Sequence, residues 1–249
     1  VAFAAARAGV FIGDRSAEQT LVQMANDPKH PFQLESVATL GKLGDVPEVR
    51  MALRELLDAP QTSVRIEAYQ ALIKMKDQRI VSRPIGDKYF VDIIESNAPS
   101  LVFATRLGTP RIAVMGRRAE FNRAALFTAM NTRLTISSSP QQRGALTVFY
   151  RGSDTFQPIQ IETKPELAVL LARLGGDGPA GAPALNFNYG QVVAMLNSMS
   201  EQGVLVTATT REKTAFVLQD PPSVQQNTRD APAIGAPRAV TDAEQARGD

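Results

Sequence analysis

Cysteine and tryptophan are absent from the 249 residues, and histidine occurs once. Without cysteine there is no thiol nucleophile, no disulfide and no thiolate zinc site. The single histidine, His30, lies between Lys29 and Pro31 in an expected inter-repeat loop. It reads as a solvated loop residue and leaves no plausible Ser-His-Asp triad. No apolar run approaches the ~18 residues needed to span a bilayer. No signal peptide is visible. Val1 opens inside a helical pattern, so the expectation is that upstream residues, a targeting segment included, have been removed. The lack of cysteine is compatible with export, and a periplasmic or otherwise exported location is the expectation. Phosphate-loop chemistry is also missing. Gly175-Gly176-Asp177-Gly178 follows a helical pattern and lacks the Gly-Lys-Ser/Thr ending, and there is no Gly-x-Ser-x-Gly elbow. No cofactor and no metal site is implied.

What the chain does contain is a recurring phrase. Ala5-Ala6-Arg7-Ala8-Gly9-Val10-Phe11-Ile12-Gly13-Asp14 returns as Ser36-Val37-Ala38-Thr39-Leu40-Gly41-Lys42-Leu43-Gly44-Asp45. It returns again as Ala68-Tyr69-Gln70-Ala71-Leu72-Ile73-Lys74-Met75-Lys76-Asp77, at spacings of 31 and then 32 residues. A period of this size marks stacked units that cannot bury their apolar faces alone. Gly13 and Gly44 fit the left-handed position that ends a helix. Asp14 and Asp45 are placed to cap the next helix, Thr62 or Ser63 to cap the third unit, and Pro47 suits a first helical turn. Val49, Leu53, Leu56 and Leu57 mark one apolar face, as do Ala68, Leu72 and Met75 in the third unit. Between Arg79 and Gly86 Pro84 interrupts and no period persists, so the array is expected to end there.

Beyond Gly86 the pattern changes to alternation. Strands are predicted at Tyr89–Ile93, Leu101–Thr105, Arg111–Met115, Arg133–Ser137, Ala145–Arg151, Phe156–Glu162, Val204–Thr207 and Ala215–Leu218. Thr163-Lys164-Pro165-Glu166 has capping-box spacing before Leu167, Leu170, Leu171 and Leu174. A second helix is predicted from Asn188 to Gln202. The fold class is therefore α+β: helical repeats over residues 1–84, a β-rich domain with two helices over residues 86–219, and a Pro/Ala-rich tail over residues 220–249 that is expected to be disordered.

Charge supplies the one chemical signal. The net charge is +2, yet Thr105 to Arg151 holds eight arginines, no lysine and one acid, Glu120. Arg106, Arg111, Arg117, Arg118, Arg123, Arg133, Arg143 and Arg151 are candidate contacts for an anionic partner. Phe121, Phe127, Phe149 and Tyr150 interleave with them, but no ribonucleoprotein-type aromatic motif is present, so nucleic acid is not the expected partner. The competing reading is that these arginines lie on solvent faces of strands and pair with acids elsewhere. Asp92, Glu95, Glu120, Asp154, Glu162 and Glu166 are the carboxylates available for acid–base work in the β-rich part.

Over about residues 1–77 the sequence resembles the HEAT-repeat family in its short bacterial form. The Arg-x-x-Ala-x-x-Ala-Leu signature stands at Arg65, Ala68, Ala71 and Leu72, while Gly9 replaces a usual Leu and Ser36-Val37 a usual Ala-Ala. The family implies an interaction scaffold. A second resemblance rests on three stretches. They are Phe90-Val91-Asp92-Ile93-Ile94-Glu95 with Thr109 to Gly116, then Leu146-Thr147-Val148, then Tyr189 to Leu196. In this order, after a short array, they are similar to planctomycete-type proteins grouped with the bacterial flagellar basal-body P-ring component. That resemblance implies a non-enzymatic structural subunit that self-associates into a ring, with no catalytic residues. The alternatives from the residues themselves are an adaptor that binds a protein partner through the array and a binder of an anionic polymer through the arginines.

Overall fold

The computed structural model describes residues 1–152, 157–178 and 183–220. The tail expected from residue 220 onward and the strand start expected at Phe156 therefore lie, but for Asp220 itself, outside the described residues. The N-terminal part consists of α1 (Ala2–Phe11), α2 (Arg15–Asn26), α3 (Gln33–Leu40), α4 (Pro47–Glu55), a 3-10 turn (Leu56–Asp58) and α5 (Thr62–Lys74). The recurring phrase forms the end of α1, α3 and α5. Gly13 and Gly44 take the left-handed conformation, with φ of 84° and 82°. Lys76, at the matching place in the third unit, takes φ 52° without being glycine.

The aspartate of each phrase meets a different fate. Asp14 caps α2 as expected, its Oδ1 accepting from the Ser16 amide at 2.8 Å. Asp77 accepts from the Arg79 amide at 2.9 Å in the same way. Asp45 does not cap α4: Val46 is the N-cap residue, and Asp45 pairs with Arg50 instead. Pro47 at the first helical position needs no partner for a missing N–H. In the third unit the N-cap is Gln61, one residue before Thr62, and no side chain caps α5.

Eleven strands and two helices follow among the described residues. The central sheet has the order β1 (Val81–Ile85), β2 (Tyr89–Glu95), β4 (Arg111–Gly116), β3 (Leu101–Ala104), β11 (Ala215–Leu218). β2 runs parallel to β4 and β11 parallel to β3, while the other two pairs are antiparallel. An antiparallel meander carries β6 (Phe127–Ala129), β7 (Leu134–Ser138), β8 (Leu146–Tyr150) and β9 (Ile159–Thr163). β5 (Ala119–Phe121) pairs with β10 (Leu205–Thr207). α6 (Leu167–Leu174) and α7 (Tyr189–Glu201) complete the set, and the N-terminal helices plus strand-rich region make an α+β fold.

Two further expectations need correction. The segment Arg79–Gly86 is more than the end of the array, because it contains β1. β1 is an edge strand, where Pro84 can sit without breaking a ladder. The capping box is not at Thr163. That residue completes β9 opposite Leu146, and the Pro165 carbonyl then accepts from the Phe121 amide at 2.8 Å, so the chain stays extended until Leu167. A capping box does occur at α7, where Asn188 and Gln191 exchange bonds of 2.9 Å. The short strands β5 and β6 carry too few residues to show a period.

The inner strands β2, β3 and β4 of the central sheet are buried on both faces. Tyr89, Val91, Val102, Ile112 and Val114 point into a core shared with α6, α7 and the meander. Ile94, Leu101, Phe103, Ala113 and Met115 point into the core of the helical array. Residues 1–219 form one compact unit, and the change from helix to strand, between Lys74 and Val81, lies within it. The left-handed Lys76 yields a stability prediction. A Lys76→Gly variant relieves the Cβ clash of a left-handed residue and is expected to gain about 0.5–1 kcal/mol, after the extra unfolded-state entropy of glycine is offset. Thermal unfolding checks it; a fall in the midpoint contradicts the reading.

Candidate functional site

The junction between array and sheet is built on a buried carboxylate. Asp92 stands in the apolar run Phe90-Val91-Asp92-Ile93-Ile94, and its side chain is 0% exposed. Tyr69 from α5 donates to Oδ2 at 2.6 Å, and Ser82 from β1 donates to Oδ1 at 2.5 Å. Arg111 at the start of β4 donates from Nη1 to both oxygens at 2.7 Å. The guanidinium also lies 4.5 Å from the centre of the Phe90 ring. Burial, and then the neighbouring Asp92 charge, push the Tyr69 hydroxyl well above the usual phenol range, so it stays a neutral donor. A buried charge of this kind is tolerated only with full hydrogen bonding. Tyr69 also packs edge-on to Phe103, centroids 6.0 Å apart.

A second clamp grips the loop between β2 and β3. Asp58 Oδ1 accepts from the amides of Asn97 at 2.6 Å and Ala98 at 3.2 Å. Arg65, the arginine of the repeat signature, is 3% exposed and donates from Nη1 to the Pro99 carbonyl at 2.9 Å. Desolvation lowers the Arg65 pKa, while the nearby Asp58 charge opposes that shift. Gly116 is required here: its φ is 87°, and a Cβ would sit 2.5 Å from the Pro99 carbonyl oxygen. Within the array, Arg54 Nη2 meets Asp77 Oδ2 at 2.8 Å, and Arg50 lies between Asp45 and Asp77.

The eight arginines are distributed over separate strand ends. Arg106 and Arg111 stand at one end of the β3–β4 pair, and Arg117 and Arg118 just past the other end of β4. Six strand residues separate these ends by about 20 Å. Arg133 and Arg151 flank one end of the β7–β8 pair, where the Arg151 amide bonds the Arg133 carbonyl. Arg143 lies in the turn at its opposite end, and Arg123 is brought beside it across Gly144. Arg111 and Arg118 are paired with acids, and Arg117 donates from Nε to the Asn97 carbonyl at 3.0 Å. Of the carboxylates, Glu120 and Glu166 are brought together, with Arg118 contacting both and offsetting their repulsion. Glu162 accepts from Ser139 at 2.5 Å. Asp154 lies outside the described residues.

On the outward side of the array, α2 and α4 leave a groove of about 640 Å³. Val22, Val46 and Pro47 form its apolar part, and Arg15, Glu18 and Glu48 its charged margins. His30 Nδ1 accepts from the Phe32 amide at 3.2 Å. Among the described residues no cluster of three or more His, Asp or Glu side chains could hold a metal ion, and no helix is long and apolar enough to cross a membrane.

Tyr69, Ser82, Asp58 and Arg65 were not singled out as site residues by pattern. A lone acid inside an apolar strand, Asp92, was the available signal, since it demands a donor from elsewhere. Two outcomes follow from these contacts. Asp92→Ala strands Arg111 and Tyr69 and is expected to cost about 3–5 kcal/mol, whereas Tyr69→Phe removes one donor and costs about 1–2 kcal/mol. Chemical denaturation distinguishes them, and a near-neutral Asp92→Ala contradicts the junction's role.

Asp77 adds a pH dependence. Burial alone would raise its carboxyl, but the bond from Arg54, the Arg79 amide and the charges of Arg54 and Arg50 outweigh burial and hold it below the ordinary 3.8. A depressed carboxylate contributes stability that is complete above its unfolded value and is lost as pH falls through the folded one. Unfolding free energy measured from about pH 5 down to about pH 3 should therefore fall more steeply in the native chain than in Asp77→Asn; parallel curves exclude this.

No curated protein and no solved structure matches the chain. Residues 1–79 match the family model described as HEAT repeats. The helical first third of the chain is thus similar to HEAT repeats, which suggests a protein-interaction or scaffold role.

Proposed function

We propose that the chain is a non-catalytic scaffold that holds a protein partner against its helical array. The observation that carries this is the α2–α4 groove, open to solvent on an array whose other side is fixed to the sheet. Apolar side chains between margins of both charge signs suit a peptide or helix of mixed charge. A scaffold function also fits the junction, because Asp92 and Asp58 restrain the array against the sheet at two places.

The finer form of this reading is a subunit of a bacterial envelope or flagellar basal-body ring, acting outside the inner membrane. Its support is the order of array and strand-rich stretches described from sequence, including Thr109 to Gly116 and Tyr189 to Leu196. Two further forms follow from the same chain: a one-partner adaptor using the groove, and a binder of anionic polymer using the Arg123–Arg143 neighbourhood.

The forms are separable. Sedimentation of the full chain over rising concentration should show self-association for a ring subunit, and a monomer at all concentrations removes that form. Gln19→Arg, at an exposed position lining the groove, should weaken partner capture by the adaptor while leaving the thermal midpoint unchanged, and capture indifferent to Gln19→Arg removes the groove. Polymer binding through arginines should weaken steeply with salt, and salt-independent binding removes that form.

A further inference from the structure

We infer that the cleft at the carboxyl ends of β2 and β4 binds a small amphiphilic anion, a carboxylate or phosphate carried on an apolar body. The cleft has a volume of about 810 Å³, the size of a small-molecule site. It opens where two parallel strands end side by side, beyond Glu95 and Gly116. Chain leaving parallel strands at such an edge forms a crevice because the two following loops diverge. Here one loop is pulled toward the array by Asp58, and the other is fixed by Gly116.

The floor is apolar. Ile93 and Val114 come from the strands, and Ala168 and Val169 from the first turn of α6. An apolar body of a ligand would bury this surface. The rim is charged, and its charges do not cancel. Asp58 is engaged by the Asn97 and Ala98 amides, and Glu166 by Arg118. Arg79, Arg117, Arg118 and Lys164 stand against Asp58, Glu95 and Glu166, a surplus of one cation, and Arg79, Arg117 and Lys164 are exposed and form no ion pair among the described residues. Arg117 is anchored through Nε to the Asn97 carbonyl, which leaves its terminal nitrogens to a ligand. A rim with surplus cations attracts an anionic head. The first turn of α6, which no side chain caps, adds amide donors on the same wall. Neither half suffices: the floor alone would take a neutral alkyl group, and the rim alone an inorganic ion.

The test is calorimetric titration of the full chain with decanoate, decyl phosphate, decanol and inorganic phosphate. Decanoate or decyl phosphate, or both, should saturate at one site, and which of them binds identifies the head group. Decanol and inorganic phosphate should bind at least about tenfold more weakly, since each loses either a charge-assisted contact or the apolar one. Lys164→Glu and Arg79→Glu should each weaken the bound anion about tenfold, with the thermal midpoint unchanged, whereas Lys42→Glu on the array should not. The inference is overturned by absence of saturable binding, by equal affinity for decanol or inorganic phosphate, or by binding indifferent to both rim reversals.

Discussion

The position of the helical array depends on one buried charge. Asp92 sits in β2, an interior strand of the sheet, with its carboxylate removed from water. Such a group is costly unless donors surround it, and its three side-chain donors come from α5, β1 and β4. They are far apart in sequence, so satisfying Asp92 requires the array and the sheet to be in one arrangement. Apolar packing of Phe103, Ala113 and Met115 against the array supplies attraction without direction. The carboxylate supplies the direction.

From that constraint the rest of the architecture follows. The array acts as a covering layer of the sheet, and the inner strands β2, β3 and β4 are therefore buried on both faces. Its open surface is turned outward, between α2 and α4. The loop between β2 and β3 is drawn to Asp58 and Arg65, which also shapes one wall of the cleft beside Gly116.

Much of this was legible in the chain. The left-handed turns at Gly13 and Gly44, the first-turn proline Pro47, the buried face of Val49, Leu53, Leu56 and Leu57, and the start of α7 at Asn188 all follow from local rules. These features depend on neighbours within about four residues, where backbone sterics and capping dominate. The errors occurred where distant partners intervene. Thr163 had the spacing of a cap, yet pairing with Leu146 kept it in a strand. Asp45 had the place of a cap, yet Arg50, a local competitor just outside the capping span, took its carboxylate. The arginines of residues 106–151 form one group in sequence, but strand ends about 20 Å apart divide them.

By itself, then, the sequence determined the repeat, its helix ends and the alternation of most strands, because each is written in contacts a few residues long. It also determined that these residues carry no thiol chemistry, since cysteine is missing from them. Only the tertiary structure decided that the array lies on the sheet, that Arg111 serves Asp92 while Arg117 faces a cleft, and that parallel strands β2 and β4 end together. Those outcomes depend on pairings between residues tens of positions apart. No local period records them, because register and donor geometry are satisfied only once the layers have met.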